Sequence, residues 1–437
     1  MKFKTTTAFP PLKRYFLPPL LGFFILSARA RGQQETVQPL APPVESTSQL
    51  AMTNSFQLFP IHAVPAPPQP YEPFQWDRFI VRPHMDYQFT KAYHLLAAPS
   101  NQVDTTIQRV SPGLLFDLGP HWALDYTLSL AWYSNTNFGT EVDHSITLTG
   151  QTVYGDWNLG FLQSVLLTRS PLIEFGGQTY QDYFNTSVTG HHEDNQYVSE
   201  DLDLNQNIQI FPGGGFEDMS SWSTVDWLNY QPQSHFNIGI SPGLGYNDAV
   251  YGPDSAFEQA QTRVNWRLTD ILSVQLSAGV VETEFLGSEG NGNLFSPIYS
   301  GTLDFKPFSQ TEISVFASRY SSPSMLVDEY AEGSTVGCSI GQRLLGQFYV
   351  GAQASYSDQK YIGTAIAVIP ISPTVDVIER LNEGRQDKYY TFSARLGHSF
   401  LQRGNISVFY QYSGDSSSVS GYSFAGNQFG GEVSYSF

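Results

Sequence analysis

Beyond Arg78, apolar and polar residues alternate with a period of two over long stretches. In 235–246, Phe236, Ile238, Ile240, Pro242, Leu244 and Tyr246 share one parity, and Asn237, Gly239, Ser241, Gly243 and Gly245 the other. In 262–268 the split is Thr262, Val264, Trp266 and Leu268 against Arg263, Asn265 and Arg267, and 272–280 and 405–412 divide the same way. Side chains of a strand point alternately to its two faces, so this pattern predicts strands with one apolar and one polar face.

Turn signals punctuate the strands at regular intervals. They fall at Gly119-Pro120 and Gly155-Asp156, then near Asp194-Asn195, Gln231-Pro232, Thr269-Asp270, Pro307-Phe308, Leu345-Gly346 and Gln402-Arg403. The spacing is roughly 36 to 38 residues until a longer last interval of about 57, the rhythm of a hairpin array. Two strands for each turn, with one more at each end (78–90 and 427–437), predict about 18 strands, 16 being the alternative, and an even count puts both ends of the array on one side.

A soluble sandwich would also have one polar and one apolar face, so strand length decides. The segments run about 10 to 14 residues, beyond the usual globular mode of five or six and matched to a tilted membrane crossing. Ser, Thr, Asn, Gln and Gly dominate the polar face. Trp122, Trp157, Phe236 and Phe348 follow the tight turns, while Tyr133, Tyr246, Tyr320, Tyr356 and Tyr412 close the other strand ends, as two aromatic girdles would. The reading is all-β: a single antiparallel up-and-down transmembrane barrel over residues 74–437, with no segment apolar enough for a spanning helix.

The first 73 residues break the pattern. Lys2, Lys4, Lys13 and Arg14 precede the apolar run Tyr15–Leu26, and Ala28-Arg29-Ala30 offers a small-residue cleavage site, so 1–30 read as a secretory signal peptide. Residues 31–73, with Pro39, Pro42, Pro43, Pro65, Pro67, Pro68 and Pro70, read as a flexible Pro-rich leader, periplasmic or held in the lumen.

Composition sharpens the class. Charged residues are only 14% of the 437, aromatics also reach 14%, and the net charge is -18. An acidic chain lacking clustered Lys and Arg is a poor nucleic-acid binder and suits the passage of cations. Its one cysteine, Cys338, allows no internal disulfide and no thiolate metal site.

The chain ends Gln428-Phe429-Gly-Gly-Glu-Val433-Ser-Tyr435-Ser-Phe437. This resembles the last strand of bacterial outer-membrane barrels, in which Val433, Tyr435 and Phe437 would act as the insertion signal. In hairpin rhythm and Gly-aromatic texture, 74–437 is similar to the β-barrel porin-2 type proteins. That resemblance implies a Gram-negative outer-membrane barrel contacting membrane lipids, lipopolysaccharide and the insertion machinery. The resemblance implies hardly anything about a substrate; the reading of the whole chain is a channel for small solutes or envelope polysaccharide without a cofactor, the alternative being a non-conducting structural or binding barrel plugged by its loops or leader.

Candidate chemistry lies on the polar face. Arg263, Arg267, Lys306 and Arg395 face inward by parity, as do Asp125, Asp203, Asp304 and Glu312. Such groups would either oppose one another across a constriction, selecting by charge, or pair and fill the lumen. The long interval places 359–386 on the loop side; Ile366, Val368 and Ile369 followed by Asp376, Glu379 and Arg380 would fold into the mouth or extend as a hairpin. His191-His192-Glu193-Asp194 reads as a solvated turn rather than a metal site, and Glu282, Glu284 and Glu289 as an outer acidic loop. No His-Glu-x-x-His and no phosphate loop is present, and catalysis is not expected.

Overall fold

The computed structural model describes residues 74–76, 79–95, 103–172, 177–213, 216–286, 293–324, 327–372, 375–380, 384–401, 403–419 and 423–436. Residues 1–30 and 31–73, read above as signal peptide and leader, lie outside them.

Eighteen long antiparallel strands form one sheet. They are β1 (Phe79–Tyr93), β2 (Thr105–Asp117), β3 (Trp122–Tyr133), β4 (Glu141–Tyr154), β5 (Trp157–Thr168), β6 (Gln181–Asn195), β7 (Val198–Ile210), β8 (Met219–Gln233) and β9 (Phe236–Ala249). The second half comprises β10 (Asp254–Thr269), β11 (Leu272–Leu286), β12 (Asn293–Phe308), β13 (Thr311–Pro323), β14 (Val327–Leu344), β15 (Phe348–Ser372), β16 (Gln386–Phe400), β17 (Gly404–Ser417) and β18 (Phe424–Ser436). Each strand pairs with its chain neighbours, and β18 returns to β1 from Ser436–His84 to Asn427–Tyr93. Closure removes the sheet edges, so each strand has a ladder partner on both sides.

The alternation turns the usual interior inside out. On β9, Ile238, Ile240, Leu244 and Tyr246 are exposed on the outer surface while Gly239, Ser241 and Gly243 are buried. On β17, Ile406, Val408 and Tyr410 face out, whereas Ser407 and Phe409 face in. A largely apolar outside stable only against lipid, around an inner wall of small polar side chains, is the layout of a membrane-spanning barrel.

One rim carries the tight connections and the other the long ones. Gly155 adopts the left-handed φ of 60° that lets a two-residue turn join β4 to β5. Four turns lie one to three residues beyond their sequence-predicted positions, at 196–197, 234–235, 270–271 and 309–310, because turn-type residues such as Asp194, Pro232 and Pro307 stand within the last positions of their strands. His191-His192-Glu193-Asp194 is accordingly strand rather than turn.

The girdle assignment needs two corrections. Trp122, Trp157, Phe236, Phe348, Tyr246, Tyr356 and Tyr412 have outward parity, but Tyr133 and Tyr320 face inward. Tyr133 is held there by its hydroxyl, which donates to Glu141. Glu282 and Glu284 are likewise strand residues, exposed at the loop end of β11, and Glu289 lies outside the described residues.

Candidate functional site: the lumen wall

Register places all eight charged candidates on the inner wall. Arg263 is paired with Gly239 and Ser277, Arg267 with Ser273, Asp203 with Val225, Asp304 with Ser314, Arg395 with Phe409, and Asp125 with Thr147. Lys306 and Glu312 meet at 3.1 Å across the β12–β13 turn end, and Arg395 meets Glu432 at 2.9 Å. Asp125 stands 3.0 Å from His84 on β1. These partners lie along the wall, on the next strand or the one after, and not across the lumen.

Two clusters show how the wall is built. Arg263 crosses Gly239 to donate through Nε to Asn229 at 3.0 Å and through Nη2 to Asp201, its guanidinium lying 4.3 Å above the Trp227 ring. A Cβ on residue 239 would come within 2.7 Å of the Asn229 amide oxygen and 3.2 Å of Arg263 Cγ, so only glycine lets the arginine lie flat. Asp201 also accepts from Asn229 at 2.9 Å and contacts His191 Nδ1 at 2.6 Å. In the second cluster Arg109 spans the small, buried Ala131 and donates to Glu141 at 2.8 Å, which also receives the hydroxyls of Tyr133 and Ser170. Charge-assisted bonds of this kind fix long side chains against the wall.

Most inward cations are consumed by this pairing and carboxylates are left over; Arg267 donates instead to the Ser234 carbonyl at 3.5 Å and Arg343 to the Gly346 carbonyl at 2.7 Å. Among the described residues, the inward Arg82, Arg109, Arg263, Lys306 and Arg395 each have a carboxylate within ion-pair distance. Asp304 is held by the Ser314 hydroxyl and not by a cation, and no ion pair reaches Asp203. The residual wall charge in this region is negative.

A second constriction element was not legible in the sequence. The β12–β13 ladder stops at Tyr299–Arg319, although both strands continue toward the loop rim. Above that point, Tyr330 and Glu332, whose parity is outward, touch residues of lumen parity on β11 and β12. Tyr330 packs edge-on against Phe285 at 5.6 Å with its hydroxyl 3.3 Å from Thr283, and Glu332 accepts from Ser296. Arg319 joins them, 3.3 Å from Glu332 and 3.1 Å from the Pro297 carbonyl. The loop end of the β13–β14 hairpin therefore lies on the lumen side of its neighbours and narrows the mouth.

The 359–386 segment behaves differently. Its backbone continues β15 to Ser372 and pairs back with Val375–Arg380, Ile366 opposite Arg380, Val368 opposite Ile378 and Pro370 opposite Asp376. That is an extended hairpin; the side chains of Ile366, Val368, Ile369, Asp376, Glu379 and Arg380 lie outside the described residues. At the other terminus Val433 has outward parity, as does Tyr435, while Phe437 is also outside them.

Among the described residues, no group of three or more His, Cys, Asp or Glu side chains is placed to hold a metal ion. His191 faces the lumen while His192 stacks on Trp157 at 4.9 Å on the outer surface, so the adjacent pair is split by the sheet. Gly337-Cys-Ser-Ile-Gly341 has the spacing of a nucleophile elbow, yet it runs straight through β14, where the strand–turn–helix geometry of an elbow is missing.

Fold and wall together define a transmembrane β-barrel with a polar, net-acidic interior. No family model matches the chain, and no curated protein does. Among solved structures it is similar to Acinetobacter baumannii OccAB3 (9% identity, 82% of this chain and 99% of that one, TM-score 0.44). Pseudomonas aeruginosa OccK2 (OpdF) is similar at 8% identity, 82% and 97% coverage and TM-score 0.45. The siderophore receptor PirA of Pseudomonas aeruginosa is similar at 12% identity, 85% and 81% coverage and TM-score 0.42. Likeness at this level carries no argument about what passes through the barrel.

Proposed function

We propose that the protein is a bacterial outer-membrane channel that admits small polar solutes and favours cations. The carrying observation is the wall itself: polar on its inner face, with most basic groups paired side by side and carboxylates such as Asp203 and Asp304 left without an ion-pair partner among the described residues. A ring of 16 to 18 strands is wide enough for an aqueous passage, and surplus carboxylates lining it attract cations. An even strand count with both array ends on the tight-turn rim supports placement in a bacterial outer membrane. The same hydroxyl- and amide-rich wall would suit an envelope polysaccharide as a longer cargo.

The competing reading, a plugged structural or binding barrel, draws on the inward hairpin around Tyr330 and Glu332. Single-channel conductance of the refolded protein in a planar bilayer separates the two. The channel reading expects steady conductance with cation-favouring reversal potentials, and a weaker preference when Asp203 and Asp304 are both replaced by Asn. Silence from barrels that still migrate anomalously on unboiled gels would overturn it in favour of the plugged form.

A further inference from the structure

The outer surface is not uniformly apolar. Around most of the ring the middle of each outward face carries side chains such as Ile240, Val264, Leu276, Val315, Val336, Val408 and Phe429. Thr262 is an exception that returns its hydroxyl to the Ala278 carbonyl at 3.3 Å. On β5–β8 the outward parity instead brings Gln163, Thr186, Gln206, Thr224 and Asp226 to the surface.

Strand tilt sets the height of these residues. The row of paired residues that starts at Trp122 in the turn-side girdle passes Gly150, Phe161, Val188 and Leu204 and reaches Thr224 on β8. On β8 the girdle residue is Tyr230, closer to the turn, so a row climbs by about one residue per strand, as closed tilted barrels require. The row Gln163–Thr186–Gln206–Trp222, corrected for that climb, returns to β8 between Thr224 and Asp226. Two amides, two hydroxyls and a carboxylate thus form one horizontal belt, and on β8 it lies midway between the girdle residues Tyr230 and Trp222.

Some of the belt's hydrogen-bonding capacity is met internally. Thr186 donates to Gln163 Oε1 at 2.7 Å, Gln163 Nε2 lies 3.3 Å from the Asn185 carbonyl, and Thr224 donates to Asp226 at 3.0 Å. A carboxylate still has further lone pairs to satisfy, and hydrocarbon offers no donor. Ionisable groups facing lipid at mid-depth are rare for that reason.

We propose that the β5–β8 face is the interface with a second copy of this chain, related by a two-fold axis along the membrane normal that passes between β6 and β7. The order amide, hydroxyl, amide, carboxylate is self-complementary under that axis: Gln163 meets Asp226 of the second copy, Thr186 meets Gln206, and each contact occurs twice. Isologous pairing of one patch with itself is the commonest oligomer geometry. The inference rests on the transmembrane reading of the barrel.

The chain's single thiol supplies the control. Cys338 is exposed with outward parity on β14, on the far side of the ring from the belt. In outer-membrane vesicles, a short bismaleimide reagent, which spans more than a disulfide can, is expected to give a covalent dimer as the main species with C338A/T186C protein, and none with the native chain carrying Cys338. In mild detergent the native protein should have twice the chain mass, and Q163L/D226L should lower the dimer fraction at least tenfold while keeping heat-modifiable mobility. A monomer without cross-link at 186, a threefold mass, or an adduct of unequal mass at 186 would each overturn the two-fold dimer. Recovery of the native protein in the aqueous fraction would instead sink the membrane reading on which it rests.

Discussion

The residues that matter most on the wall are those that let others lie flat. Arg263 reaches Asn229 and Asp201 only because residue 239 has no side chain, and Arg109 reaches Glu141 across Ala131. Gly239→Val is therefore expected to lift the guanidinium into the lumen and leave Asp201 with one fewer donor. Folding stability in micelles should fall by about 1–3 kcal/mol, the cost of an unmet buried polar group. Cation preference should weaken as well, because a positive charge then projects into the passage; denaturant midpoints and reversal potentials measure the two effects. Parity in the sequence is enough to put Arg263, Asp125 and Glu312 on the inner face, but not to say which acid each would meet. Asp201 and Arg263 sit three strands apart, and only the register of the intervening strands brings them together. Tyr133 and Tyr320 misled for the same reason, since an aromatic at a strand end faces lipid or lumen according to a parity that the neighbouring turn sets.

At the scale of elements, the strands were legible and their excursions were not. Period-two alternation and turn residues locate every strand of the array to within a few positions, because a half-turn slip would carry an entire apolar face into the lumen. No such penalty governs a hairpin that rises beyond the lipid. The loop end of β13–β14 leaves its ladder at Tyr299–Arg319 and is held by contacts of Tyr330, Glu332 and Arg319 with β11 and β12, a placement with no signature in local sequence. Replacing Tyr330 and Glu332 together by Ala should release this hairpin. Single-channel current is expected to rise, with added open-state noise, whereas an unchanged trace would show that the mouth is set elsewhere.

For the whole molecule, closure is the decisive step. The seam between β18 and β1 runs from Ser436–His84 to Asn427–Tyr93, and without it two strands would expose unpaired backbone groups inside the membrane. Removing residues 424–437 should abolish the heat-modifiable species altogether, not merely shift its melting point; gel mobility of unboiled samples after refolding into micelles is the readout. A partially stable open sheet would argue that the outward apolar face packs against something other than lipid.

Because the charged groups of the described wall bond to their own and nearby strands, they act as hoops and not as spokes. A thin-walled tube reinforced in this way resists stretching around its circumference but yields readily to flattening, much as a bicycle rim does before it is laced. The contacts from Tyr330 and Glu332 to Thr283, Phe285 and Ser296 double the wall over one short arc and form a buttress there. The cross-section should consequently be stiff along that arc and compliant elsewhere, so that a pressing neighbour or a thicker bilayer deforms the passage in a preferred direction.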